Sequence, residues 1–196
     1  LDNSMQTLLD GADKTHGGWG AGPKFPQVSH LRFLLRHWQR TGDTLAREHV
    51  ILSCNKMMEG GIHDHLAGGF HRYAVDGEWL VPHFEKMLYD QAQLLDLYLD
   101  VWLVSGDRRY RQVAEGIANL VLREMQHEQG GFYCAQDAQS EGKEGKCYCW
   151  TLAEMKKLLA EPEKVLANLT YFSFKGGLAG VNAAAPVTLV DGTPLM

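Results

Sequence analysis

Between Gly60 and Gln91 the chain reads GGIHDHLAGGFHRYAVDGEWLVPHFEKMLYDQ, a short stretch that carries His63, Asp64, His65, His71, Arg72, His83 and Glu85. Imidazoles titrate near neutrality and carboxylates below it, so such a set can pass protons to and from a substrate. His63 and His65 stand at i and i+2, which on an extended segment projects both to one side, as metal ligands require. No third ligand is fixed by spacing, so no metal and no cofactor is expected. His83 follows Pro82 at what reads as a helix N-terminus. The helix dipole there disfavours an imidazolium, and a neutral imidazole would serve as a base. The alternative is that His83 only tethers the loop to the helix start.

Glu85 reads either as an acid–base group or as a carboxylate capping the same first turn. Lys86 and Asp90 stand at i and i+4 and read as an intrahelical ion pair. Arg72 could clamp a carboxylate or a hydroxyl, and Asp137 in a later acidic loop is a second carboxylate or a turn former. Lys24 sits between two prolines in GPKFP, a rigid loop that braces its surroundings.

Helical periodicity defines the elements that must hold these groups. Residues 2–10 read as the end of a helix. A glycine- and proline-rich loop spans 17–27, and amphipathic helices cover 28–40, about 43–59, about 83–104 and 108–127. Gly42 and Gly106 stop helices, while Asp43 and Asp107 cap the next ones. Phe132–Ala135 and Lys146–Trp150 alternate like two strands of a small β-hairpin. Thr151 with Glu154 forms a capping box for a short helix, and the tail 176–196 reads as irregular.

The chain has 196 residues and a net charge of −5, with no basic run, so nucleic acid and anionic membranes are not expected partners. No apolar run reaches the ~20 residues that cross a bilayer, and the first residues do not resemble a signal peptide. The first residue is Leu1, so the expectation is a fragment of a longer protein. The four cysteines form no CxxC pair, which points to a reducing, cytoplasmic setting.

Gly-Gly-hydrophobic loops recur at Gly17-Gly18-Trp19, Gly60-Gly61-Ile62, Gly68-Gly69-Phe70 and Gly130-Gly131-Phe132, separated by helix pairs with tight Gly-Asp turns. This alternation is what stacked helical hairpins produce, with every elaborate loop at one face. The expected fold class is all-α, an array of helical hairpins; the resemblance described next makes it part of an (α/α)6 toroid.

GGWGAGPKFP, GGIHDHLAGGFHRYAVDGEWLVPHFEKMLYDQA and GGFYCAQDAQSEGKEGKCYCWT resemble successive signatures of the spermatogenesis-associated protein 20 family. That resemblance implies a thioredoxin-like domain followed by a six-hairpin toroid similar to N-acylglucosamine 2-epimerases and several glycosidases. Residues 1–175 would then be a partial toroid and the thioredoxin-like domain an absent partner. The incomplete edge would be open to self-association. The family pattern has Asp-Ala-Asp-Ser where this chain has Asp137-Ala138-Gln139-Ser140, and larger apolar residues where it has Cys147 and Cys149.

In such toroids the substrate sits where the long loops converge. The resemblance therefore sets Trp19, Lys24, Phe25, Asp64, Arg72, Tyr73, Trp79 and Trp150 against a small-molecule or glycan ligand, with Phe70 as a further aromatic. His83, His63, His65, His71, Glu85 and Asp137 become the catalytic candidates. An epimerase or isomerase would use His83 with His63, His65 or His71. A glycosidase-like hydrolase would pair Asp64 or Glu85 with Asp137. A non-catalytic toroid would bind a glycan or peptide, or support the thioredoxin-like domain. Histidines outnumber matched carboxylate pairs, which favours the first.

Overall fold

A computed structural model describes residues 2–149 and Lys157. Among the described residues five α-helices dominate: α1 (Asp2–Asp10), α2 (Val28–Thr41), α3 (Thr44–Glu59), α4 (Leu88–Ser105) and α5 (Arg108–Leu120). A single π-helical turn, Val121–Met125, extends α5. The sequence dictates the pairing of α2 with α3 and of α4 with α5. Gly42 (φ 78°) and Gly106 (φ 72°) end α2 and α4 in the left-handed region, which a residue without Cβ enters at no steric cost. Asp43 and Asp107 then accept from the amides of Leu45 and Arg109 and start the returning helices.

The two hairpins pack α2 on α4, and α1 lies against α3. Leu31, Leu34, Leu35, Val50, Met57, Leu94, Leu97 and Ile117 are wholly buried between them. The buried Tyr98 hydroxyl donates to the Cys54 carbonyl, so this core position carries no unpaired polar group. On the outside, Arg32 and Arg36 of α2 pair with Asp96 and Asp100 of α4.

Loops follow α1, α3 and the π-turn, and short ladders lace each loop to the next. Lys24 exchanges main-chain hydrogen bonds with Ala74. β1 (Tyr73–Ala74) pairs antiparallel with β2 (Pro82–His83), and β3 (Lys86–Met87) with β4 (Ala135–Gln136). β5 (Gln139–Ser140) and β6 (Lys143–Glu144) make a tight hairpin.

Three local expectations change. The helix expected from about residue 83 starts at Leu88, because 82–83 and 86–87 are held in two ladders. His83 is therefore a strand residue, and the helix-dipole argument for its neutral form does not apply. The regular α-helix expected to residue 127 ends at Leu120, where the π-turn takes over. A β-hairpin is present, but at 139–144, within the turn expected between strands 132–135 and 146–150. Ala135–Gln136 pairs with β3 instead, and Lys146–Tyr148 is a 3-10 turn. Trp150, the capping box at Thr151 and the 176–196 tail lie outside the described residues. Among the described residues, no helix is long and apolar enough to cross a membrane.

Candidate functional site

The loop face is built on a clasp that occurs twice. ADKTHGGW (12–19) and HDHLAGGF (63–70) share Asp, two glycines and an aromatic at the same spacing. In the first, Asp13 accepts from the amides of Thr15 and His16 through one oxygen and from Lys24 Nζ at 2.6 Å through the other. In the second, Asp64 accepts from Leu66 and Ala67 and from Lys86 Nζ at 2.7 Å. Both lysines are fully buried, and each ammonium also donates to a main-chain carbonyl, of Gly77 or Gly68. Burial pushes each aspartate up. The Lys86 charge at Asp64, and the His16 amide with Lys24 at Asp13, outweigh it and hold both below the usual carboxylate range.

The leading glycine of each pair lets a loop touch a helix of the next hairpin. A Cβ on Gly17 would lie 2.5 Å from Ser53 Cα, and one on Gly68 would lie 2.5 Å from the Gly116 carbonyl oxygen. Lys24, Lys86 and Asp64 thus stand in the scaffold of the face. Lys86 is committed to Asp64 and not, as the i, i+4 spacing implied, to Asp90.

The histidines divide by their partners. His63 Nδ1 lies 3.0 Å from the Met58 carbonyl, its ring stacked on Phe70, and His65 Nε2 lies 3.0 Å from the Gly60 carbonyl. His71 is buried, with Nδ1 3.1 Å from the Phe84 carbonyl and its ring edge-on to Tyr148. A carbonyl only accepts, so each contacting nitrogen carries the proton. Burial, with the charge of His65 next, lowers His63 to about 4. Burial, with the charge of Lys86 next, lowers His71 to about 3. His63 and His71 are therefore neutral at ordinary pH, and all three rings fasten the loop through main-chain carbonyls.

His83 is placed differently. Its ring stacks on Tyr73 (centroids 5.0 Å), which in turn packs on the exposed Phe25 (4.7 Å). Its Nδ1 lies 2.7 Å from Glu144 Oε1, brought in by the β5–β6 hairpin. The carboxylate holds a proton on Nδ1, so that in the neutral ring Nε2 is the acceptor, as in proton-transferring imidazole–carboxylate pairs. Beside it, Arg72 donates to Glu85 at 2.8 Å, and its amide donates to the Glu85 carbonyl. Asp90, on the first turn of α4, is half-buried and near both. Burial raises its carboxyl to about 6, with Arg72 lowering and Glu85 raising it.

Other candidates lie elsewhere. Trp19 is buried, with Nε1 donating to the Leu8 carbonyl, and the fully buried Trp79 donates to that of His16. Lys24 Nζ lies 5.2 Å from the Trp79 ring centroid, so these two large aromatics wall the first clasp. Asp137 is exposed and accepts from the Gln139 amide, shaping the turn into β5. Among the described residues, no group of three His, Cys, Asp or Glu converges as a metal site.

Sequence reasoning missed Glu144 and both clasps. The repeated Asp and Gly-Gly-aromatic spacing could have exposed the clasps. Nothing local could have joined His83 to a glutamate 61 residues away.

Hairpins laced at one end by long loops have the fold of part of an (α/α) toroid, and solved structures bear this out. The chain superposes on the cellobiose 2-epimerase from Spirochaeta thermophila with a TM-score of 0.58 at 15% identity, over 97% of this chain and 55% of that one. A sugar epimerase from a ruminal bacterium gives a TM-score of 0.58 at 16% identity, over 86% of this chain and 50% of that one. No family model matches.

Sequence identity then assigns the chain to the spermatogenesis-associated protein 20 family. It is 46% identical over 168 residues, 81% of this chain, to Spermatogenesis-associated protein 20 of Homo sapiens. The chain spans about a fifth of the length of the curated relatives it matches.

Proposed function

We propose that the loop face binds a sugar and moves a proton at a carbon next to its carbonyl, as an epimerase or isomerase does. The observation that carries this reading is the Glu144–His83–Tyr73 arrangement. A carboxylate orients the imidazole, and an aromatic ring fixes its plane beside a partly exposed surface. His83 Nε2 would take the proton from the carbon of an open-chain sugar, leaving an enediolate. Returning that proton to the neighbouring carbon, while the hydroxyl proton passes between the two oxygens, isomerises the sugar. Delivery to the opposite face of the same carbon by a second acid epimerises it, and that step needs a second group. The exposed Phe25 ring and the half-buried Tyr73 ring offer apolar area for a sugar face. The fold shared with sugar epimerases supports the same chemistry by analogy.

The test incubates the full-length protein with cellobiose, D-mannose and D-glucose in D2O and follows the sugars by proton NMR. Deuterium should enter at C1 or C2, and His83→Gln should slow its entry by roughly 10²-fold or more. Absence of deuterium in all three sugars while they still bind contradicts the catalytic reading.

One observation favours a second reading, a glycan-binding scaffold for the rest of the protein. His63, His65 and His71 all spend a ring nitrogen on main-chain carbonyls, as fixed loops do. Binding without exchange is the outcome that selects it.

A further inference from the structure

The Asp90 carboxylate, in the first turn of α4, takes no part in the hydrogen bonding of the fold. Its i, i+4 neighbour Lys86 is buried in the second clasp, and the cap position before α4, Met87, makes no side-chain cap bond. Arg72, the cation that acts on Asp90, donates through its guanidinium to Glu85. The Asp90 side chain forms no hydrogen bond with any described residue, and its Oδ2 is sealed from solvent without a partner. A buried acceptor left unmet costs stability. In native proteins such a group points to a bound molecule or to catalysis. The surroundings are not those of an unused core position. Tyr89, next in sequence, is an exposed aromatic within electrostatic reach of Arg72. The guanidinium of Arg72 is about a third exposed and fixed in place by Glu85.

We infer that Asp90, Arg72 and Tyr89 form a subsite for the vicinal hydroxyls of a sugar. The Asp90 carboxylate accepts from two neighbouring O–H groups, a free N–H edge of Arg72 donates to one of them, and the Tyr89 ring covers the apolar face. The terminal torsion of an aspartate is broad and two-fold, so a modest rotation presents either oxygen. Arg72 is joined in the chain to Tyr73, which stacks on His83, and a sugar held here would extend its carbonyl end toward His83. A carboxyl raised to about 6, first by burial, agrees with a group whose partner arrives with the ligand. This inference rests on the sugar-binding reading above.

The test titrates cellobiose, D-mannose and D-glucose into the full-length protein by calorimetry, for wild type, Asp90→Asn and Tyr89→Ala. Wild type should bind at least one sugar. Asp90→Asn and Tyr89→Ala should bind it about tenfold or more weakly. Without sugar, Asp90→Asn should melt no lower than wild type, since it removes a charge that lacks a partner. Wild-type affinity in Asp90→Asn overturns the subsite and leaves the sugar-binding reading standing. A lowered melting temperature or failure to fold in Asp90→Asn also overturns it, by making the carboxylate structural. If no sugar binds the wild type, both fall.

Discussion

The first and second Gly-Gly loops share one clasp and differ in what they carry. Asp13 reaches Lys24 across 11 residues, whereas Asp64 reaches Lys86 across 22. The extra length contains Arg72, Tyr73, His83 and Glu85, so the second loop adds a polar, partly exposed excursion to a frame that the first uses bare. A fixed clasp with a variable insertion separates folding from chemistry. The ion pair and the glycine contacts hold the loop ends, and the excursion is free to carry groups that do not pay for themselves in stability. Asp90, just past the second lysine, is such a group.

The largest test breaks one clasp at a time. Lys86→Met leaves Asp64 charged, buried and unpaired and should cost roughly 3–5 kcal/mol in urea unfolding. Lys24→Met should cost less, because Asp13 keeps 21% of its side chain exposed against 9% for Asp64. Removing both partners with Asp64→Asn/Lys86→Met should recover most of the loss. Equal costs for the two single lysine variants would contradict the ranking.

Acid sensitivity should come next. His71 in the folded chain sits near 3 against a usual 6.5, so its contribution is fully present above pH 6.5 and is lost as pH falls from there toward 3. Asp64, depressed by Lys86, loses its contribution only below the carboxylate range. Between pH 6.5 and 4.5 the histidine should cost ~2–3 kcal/mol, visible as a falling melting temperature. His49 behind Trp19, lowered to about 4 mainly by burial, adds to the same limb. His71→Asn keeps a donor for the Phe84 carbonyl and should flatten part of that slope.

The glycines sharpen the comparison with the third loop. Gly68→Ala meets the Gly116 carbonyl in a left-handed conformation and should cost ~2 kcal/mol or more. Gly130→Ala has the same backbone sign but open space around it, and should cost only ~1 kcal/mol. Smallest of all, Asp137→Ala loses one exposed turn hydrogen bond and should change stability by no more than ~0.5 kcal/mol.

Much of the frame was legible in the sequence because it rests on local rules. The Gly-Asp turns at 42–43 and 106–107, the apolar stripes and the recurring Gly-Gly loops each act within a few residues, and helices α1 to α3 fall where periodicity put them. Pro82 misled, because its fixed φ suits a strand edge as well as a first helical turn, and pairing with Tyr73–Ala74 decided between them. Lys86 misled in the same way. Its i, i+4 partner lost to an aspartate 22 residues back that offered burial and a better-formed bond. At the candidate site, residue types were readable and partnerships were not. His63, His65, His71 and His83 look alike in sequence, and only tertiary contacts separate three carbonyl-bound rings from one held by Glu144.

The most direct measurement is a crystal structure of the full-length protein soaked with cellobiose or D-mannose. The account predicts a sugar over Tyr73 or Tyr89, with a ring carbon or hydroxyl within about 3–3.5 Å of His83 Nε2 and a vicinal hydroxyl on Asp90. A sugar bound elsewhere, with His83, Arg72 and Asp90 untouched, would contradict it.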